Sequence, residues 1–291
     1  MIEKRRYFHE NPELTGKELK TIEYLSAELT ALGIEHVVIE NGGILATIKG
    51  GKDGRAVLLR ADVDGLPVQE TPDNLKPGMR TCISKNPGVM HACGHDGHMA
   101  MLLGAAKILL DKKDEIAGTV YLCFERGEEA SGNVEYIFPY IEKNNIQIDT
   151  VYGTHLLATY NSYGMPGYAV VNDEEMAQWA RKVLAEELGS ENVGQWEPWM
   201  ASESYNQYLQ QWPGVFAFLG IQNEEKGIGA AHHNQEFDID EDVLYKGAAA
   251  AATYAIEYLK DDSVKGGRKM TYKQYLEKVA NYKLLAKHYG E

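Results

Sequence analysis

His91-Ala-Cys-Gly-His-Asp-Gly-His98 runs directly into an apolar helical pattern that continues to about Leu110. It sets a thiol and an imidazole two residues apart, on a loop that opens a helix. A soft sulfur and a borderline nitrogen together suit a first-row divalent ion. Cys-x-His alone is a weak signal, because so short a spacing often occurs without metal. Its weight comes from where the remaining metal-binding residue types stand.

Those residues follow strand-like runs. Tyr121-Leu-Cys-Phe124, after Gly118-Thr-Val120, reads as a buried strand and leads into Glu125-Arg-Gly-Glu128-Glu129. Asp149-Thr-Val-Tyr-Gly-Thr-His155 ends on a histidine, and Val215-Phe-Ala-Phe-Leu219 precedes a glycine-rich loop carrying His232-His233. In open α/β sheets, ligands collect in the crevice outside the carboxyl ends of the strands. Cys93, His95, Glu129, His155 and His233 are therefore five potential ligands, enough for two ions that share a bridging group. Neighbours on an extended strand point to opposite sides, so Glu128 and Glu129 can serve one site only if the strand has ended. Arg126-Gly127 offers the turn.

The wider pattern is α/β. Thr15-Gly-Lys-Glu18 reads as a capping box opening a helix with Leu19, Ile22, Leu25, Leu29 and Leu32 on one face, closed by Gly33. Strands are expected at His36 to Ile39, Ile44 to Ile48 and Ala56 to Leu59, and helices at about Asp96 to Leu110, Asp173 to Leu188 and Asp242 to Leu259. This alternation predicts a three-layer α/β/α fold with a largely parallel mixed sheet. Residues 1–260 are expected to form one catalytic domain. Residues 261–291 read as a polar linker and a helix capped by Thr271-Tyr-Lys-Gln274, with Tyr272, Leu276, Val279 and Leu284 as its apolar positions.

Composition narrows the function classes. A net charge of -14 argues against nucleic-acid binding. No run approaches the roughly eighteen apolar residues of a membrane span, and Met1-Ile-Glu-Lys-Arg-Arg6 lacks a signal peptide's apolar stretch, so a cytoplasmic location is expected. Three cysteines, one of them a candidate ligand, argue against a disulfide framework.

Several segments in order carry a resemblance: Arg5-Arg-Tyr-Phe-His-Glu-Asn-Pro-Glu-Leu14, Arg60-Ala-Asp-Val-Asp-Gly-Leu-Pro67, Met90-His-Ala-Cys-Gly-His-Asp-Gly-His98, Glu128-Glu129, Gly153-Thr-His155 and His232-His-Asn234. Over about residues 4–260 the chain resembles the family-20 metallopeptidases, in particular the amidohydrolase branch of hippurate hydrolases, N-acyl amino acid hydrolases and auxin-conjugate hydrolases. The resemblance implies a zinc-peptidase-like catalytic domain binding two divalent ions, zinc or manganese first and cobalt or nickel as alternatives. It implies ligation by Cys93, His95, Glu129, His155 and His233, with Glu128 as catalytic base. Asp62 and Asp64 fall in the motif that orients the metal site, and Glu203 matches an acidic position near the substrate.

The chain departs from that family in three places. Family members insert a lid domain, which also carries the dimer interface, after the equivalent of His155. Here residues 156–171 supply a short connection, far below the ~50 residues a domain needs. No inserted lid domain and a monomeric state are therefore expected. A lid histidine is thought to stabilise the oxyanion in the family; His91, His98 and His232 are local candidates to replace it. Arg126-Gly127 stands where Pro-Ala is usual, placing a positive charge near the proposed base, and Gly65 stands where alanine is usual.

The expected activity is metal-dependent hydrolysis of amide bonds in N-acyl amino acids or small peptides. Two alternatives stay open at this level. One is a metal-binding scaffold, or minimised catalytic domain, that lost turnover with the lid. The other is a lidless aminopeptidase-like enzyme in which Glu203 anchors a free substrate amine.

Overall fold

The computed structural model describes residues 1–130, 132–158, 170–195 and 203–289, with side chains described up to residue 280. Tyr160, Tyr163 and Tyr168 of the short connection lie outside the described residues.

The sheet is built by residue alternation. On β3 (Lys52–Asp62), Val57, Leu59 and Ala61 face one layer while Leu58 faces the other. On β4 (Ala117–Glu125), Val120, Leu122 and Phe124 join the first layer and Cys123 the second. A strand shows opposite faces at successive residues, so both sides must be covered when both are apolar. Truncating a residue such as Leu59, 1% exposed, would cost about 2–5 kcal/mol.

Six strands run in the order β1-β2-β4-β3-β5-β6, completed by β1 (Glu35–Ile39), β2 (Gly43–Lys49), β5 (Thr150–Leu157) and β6 (Gly214–Gly220). The β4-β3-β5-β6 half is parallel and β1 and β2 add an antiparallel edge, so the predicted largely parallel mixed sheet is observed. From β3 the chain crosses to β4 on one side, then passes back over β3 to β5. That reversal opens the crevice at the carboxyl ends. Helices α1 (Ile2–Glu10), α2 (Leu19–Ala31), α3 (His95–Asp111), α5 (Glu174–Leu188) and α7 (Leu244–Lys260) supply residues to the first layer's core. The second layer comes from α4 (Val134–Lys143) and the short α6 (Asn206–Gln211).

Local signals were read with mixed success. Asp173 caps α5 by accepting from the Met176 N–H, and Gly189 ends it. Around α8 (Tyr272–Tyr289) the capping box forms: the Gln274 N–H donates to Thr271 Oγ1 and the Thr271 N–H to Gln274 Oε1. Its buried contact is Tyr275, however, while Leu276 is 48% exposed. The box at residues 15–18 does not form. Glu18 is the residue before α2, the Thr15 hydroxyl donates to Asp64, and Leu19, placed on the apolar face, is 68% exposed. Tertiary partners outcompete the local cap here, because a buried carboxylate is a stronger acceptor than a helix-end alternative.

The stretch read as a linker lies against the body. Val264 is buried, Arg55 donates to its carbonyl, and the Gly267 N–H donates to Asp149 O. Tyr272 then packs edge-on against Phe138 of α4, and the Tyr275 hydroxyl donates to Gln207 of α6.

Candidate metal centre and active site

The loop before α3 and the carboxyl ends of β3, β4, β5 and β6 converge. His95 opens α3, which lies close to β5: a Cβ at Gly97 would come within 2.5 Å of Leu156 Cδ1, so any larger residue at this position of the Gly-His-Asp-Gly-His run must displace that side chain. After β4 ends at Glu125, Gly127 turns with φ +75°, and Glu128–Ala130 form one tight helical turn. Both glutamates consequently leave the strand and face the same region. His155 lies within β5, opposite Phe218. His233 adopts φ +61° with its N–H donating to Ala92 O, a left-handed conformation uncommon for non-glycine residues.

Five side chains meet around Cys93. Its Sγ lies 3.5 Å from His155 Nε2 and 3.4 Å from His233 Nε2. His233 Nε2 is 3.3 Å and His95 Nε2 3.9 Å from Glu129 Oε1. Cys93, His95 and His155 form one close group, Cys93, Glu129 and His233 a second, and His95, Glu128 and Glu129 a third. These separations approximate the edges of a metal's coordination shell, about 3.3–3.8 Å for bonds of 2.0–2.3 Å.

The second nitrogen of His155 and of His95 is occupied, which sets the tautomer. His155 Nδ1 donates to Leu156 O at 2.7 Å, so Nε2 carries the lone pair that faces Cys93. His95 Nδ1 lies 3.2 Å from Asp64 Oδ1. Its Nε2 and Glu129 Oε1 are buried without a hydrogen-bond partner among the described residues. Such orphans are costly unless something binds them. Burial works against the charged form of His95, yet Asp62, Asp64 and Cys93 raise its pKa well above the ordinary value. Burial and Glu129 push the Cys93 thiol well up. The cluster thus calls for positive charge, and a divalent ion on these atoms would meet that call. The donor set fits a metal centre.

His98 is excluded from that set by its own bonds. The Leu156 N–H donates to His98 Nε2 at 2.9 Å and His98 Nδ1 donates to Asp62 at 2.6 Å, so no lone pair remains. Asp62, Asp64 and Glu203 stand behind the donors. Burial would raise Asp62, but His95, His98 and Arg60 hold it well below the carboxylate range. Asp64 Oδ2 accepts from the Glu129 N–H and the Thr15 hydroxyl. Glu203 Oε1 lies 3.2 Å from Arg60 Nη1 and accepts from the Tyr205 N–H. Of the candidates to replace a lid histidine, His91 is fully buried and held down to about 4 by that burial, His98 is engaged at both nitrogens, and His232 is half-buried with its ring 5.3 Å from that of His155.

Glu128 accepts from the Ser204 N–H at 2.9 Å. Burial and the Glu203 and Glu129 carboxylates push it well above the carboxylate range, against the pull of His95 and Arg60. The cation near it is Arg60. The expected positive charge from Arg126 is absent there, because its guanidinium is turned away and paired with Glu18 at 2.8 Å.

A sequence model of peptidase family M20/M25/M40 matches residues 58–257. The chain belongs to this family. Among M20/M25/M40 relatives, thermostable carboxypeptidase 2 of Saccharolobus solfataricus is 28% identical over 384 positions, covering 89% of this chain and 95% of that protein. Those 384 positions exceed the 291 residues of this chain by 93, so at least that much of the relative has no counterpart here. Between β5 and α5 only sixteen residues are present, in keeping with the absence of an inserted lid domain. The N-acyl-L-amino acid amidohydrolase of Geobacillus stearothermophilus is 40% identical over 159 residues, 52% of this chain and 40% of that protein. The fold matches a Bacillus subtilis protein described as a dinuclear metal-binding peptidase, with TM-score 0.73 and 21% identity over 89% of this chain and 97% of that one.

Within this M20/M25/M40 member, the structure adds residues that sequence reasoning missed. Arg60 is 5% exposed and pairs with Asp62, Glu125 and Glu203. Its signal was present: Leu58, Arg60 and Asp62 share one face of β3, and a charge inside an apolar strand demands buried partners. Ser204 and Glu18 had no comparable signal, since their roles come from long-range contacts.

Proposed function

We propose that this chain is a dinuclear metal-dependent hydrolase that cleaves amide bonds of N-acyl amino acids or small peptides. The observation that carries this reading is the convergence of Cys93, His95, Glu129, His155 and His233, with His95 Nε2 and Glu129 Oε1 buried and making no hydrogen bond among the described residues. In this reading Cys93, His95, Glu129, His155 and His233 would hold the two ions. Zinc or manganese suits the sulfur, nitrogen and oxygen donors best. The bound pair supplies Lewis acidity to the scissile carbonyl and acidity to a water.

The chain's own residues handle the proton. Glu128, with its raised pKa, takes a proton from the attacking water and passes it to the leaving nitrogen as the C–N bond breaks and the C–O bond forms. The products are a carboxylate and an amine. Ser204 N–H holds one Glu128 oxygen and so fixes its orientation. Asp64 and Asp62 act by orienting His95, His98 and Glu129. Glu203 is read as a partner of Arg60, which favours an acyl-amide substrate over one anchored by its free amine. All three cysteines are free, in keeping with the cytoplasm. Among the described residues no helix is long and apolar enough to cross a membrane.

The test is metal content by elemental analysis together with hydrolysis of N-acetyl and N-benzoyl amino acids by the wild type and Glu128→Gln. Two metals per chain in both proteins, with turnover only in the wild type, is the expected result. Bound metal with equal rates in both would remove Glu128 as base. Metal without turnover in either would favour the scaffold reading.

A further inference from the structure

We infer that the turn at residues 15–18 is a positioning element of the metal centre, acting on His95 and Glu129 through Asp64 and on the Glu128–Glu129 turn through Glu18. The inference rests on the metal-centre reading above.

Residues 13–15 lie along Gly65 as a short strand-like pair: the Gly65 N–H donates to Glu13 O at 2.8 Å and the Thr15 N–H to Gly65 O at 3.2 Å. This places the Thr15 hydroxyl 2.8 Å from Asp64 Oδ2. The same oxygen accepts from the Glu129 N–H at 3.1 Å, while Oδ1 faces His95 Nδ1 at 3.2 Å. One hydroxyl therefore braces a carboxylate that sets the direction of two proposed ligands. Three residues on, Glu18 is fully buried. Its Oε1 accepts from the Gly16 and Gly127 N–H groups, and its Oε2 from Arg126 Nε. Arg126 Nη2 returns a bond to Gly16 O. The turn that aims Glu128 and Glu129 is thus held from the same four residues that brace Asp64. Thr15 and Glu18 lie outside the stretch matched by the family model, while the residues they brace lie inside it. Partners behind a metal-binding histidine or carboxylate restrict its orientation, and losing them typically weakens metal binding by about 10- to 100-fold.

The experiment measures Zn2+ affinity by chelator competition for the wild type, Thr15→Val, Thr15→Ser and Glu18→Gln, with metal-free melting temperatures and kcat and KM on an N-acetyl amino acid. Thr15 is half-buried and valine is isosteric, so the first variant tests the hydroxyl with little demand on the fold. Expected are an about tenfold loss of Zn2+ affinity and a lowered kcat at unchanged KM for Thr15→Val, restored by serine, and a loss at least as large for Glu18→Gln. Wild-type affinity in both Thr15→Val and Glu18→Gln, whatever their melting temperatures, overturns the inference while leaving the metal centre intact. A wild type that binds no Zn2+ overturns the metal-centre reading and this inference with it.

Discussion

His98 donates through Nδ1 to Asp62 at 2.6 Å while its Nε2 accepts from the backbone of Leu156. The histidine that ends the His91–His98 run is thereby spent on tying α3 to β3 and β5, although its ring lies only 5.3 Å from that of His95. The expected consequence is that His98→Leu keeps the wild-type metal content per chain. It should lose about 1–3 kcal/mol of stability, from one oxygen of the buried Asp62 carboxylate and the Leu156 amide losing their partner. Elemental analysis and urea denaturation check both halves.

Asp64 contacts two of the proposed ligands, His95 through Oδ1 and the Glu129 N–H through Oδ2. Asp64→Asn keeps the shape but loses the charge that favours a proton on His95 Nδ1 and hence a lone pair on Nε2. Metal affinity should fall by about 10- to 100-fold in a chelator competition, with the folded state retained by circular dichroism.

Arg60 pairs with Asp62, Glu125 and Glu203, which no lysine or other arginine does among the described residues. Burial opposes its charge, but those carboxylates raise its pKa well above the ordinary value. Arg60→Met leaves three buried carboxylates without their partner. Loss of about 3–5 kcal/mol is expected, read from urea midpoints. Arg60→Lys should recover only part, since one ammonium cannot span the three positions that the guanidinium fork reaches.

His9 sits between Asp96 and Glu70, 2.8 Å from each, with Arg5 beside it and Arg80 on the far side of Glu70. Burial and Arg5 push its pKa down, but the two carboxylates outweigh them and leave it raised. A raised histidine contributes stability that is fully present below its ordinary pKa near 6.5 and is lost as pH rises through the folded value. The stability difference between wild type and His9→Gln should therefore be larger at pH 5.5 than at pH 9. Equal differences at the two pH values, from urea denaturation of the metal-free proteins, would remove the charge on His9 from the account.

Much of this protein was legible in one dimension. Continuous apolar runs at residues 56–59 and 121–124 determined two-sided burial and hence the sheet, and the Gly-His-Asp-Gly-His run placed a ligand loop ahead of α3. The nature of the donors, sulfur with imidazole and carboxylate, is a property of residue type, and the structure does bring Cys93, His95, Glu129, His155 and His233 together. What each neighbouring group does was decided only in three dimensions. Thr15 reads as a helix cap but binds Asp64; Arg126 reads as a charge beside Glu128 but pairs with Glu18; His98 reads as a spare imidazole but has both nitrogens engaged. A hydrogen bond or ion pair depends on a few tenths of an ångström and on direction. Hydrophobic burial depends mainly on periodicity, which the chain carries along its own length. The sheet and the donor list were accordingly set by the sequence itself, whereas the proton positions, ion pairs and braces that tune those donors were set by contacts between residues far apart in it.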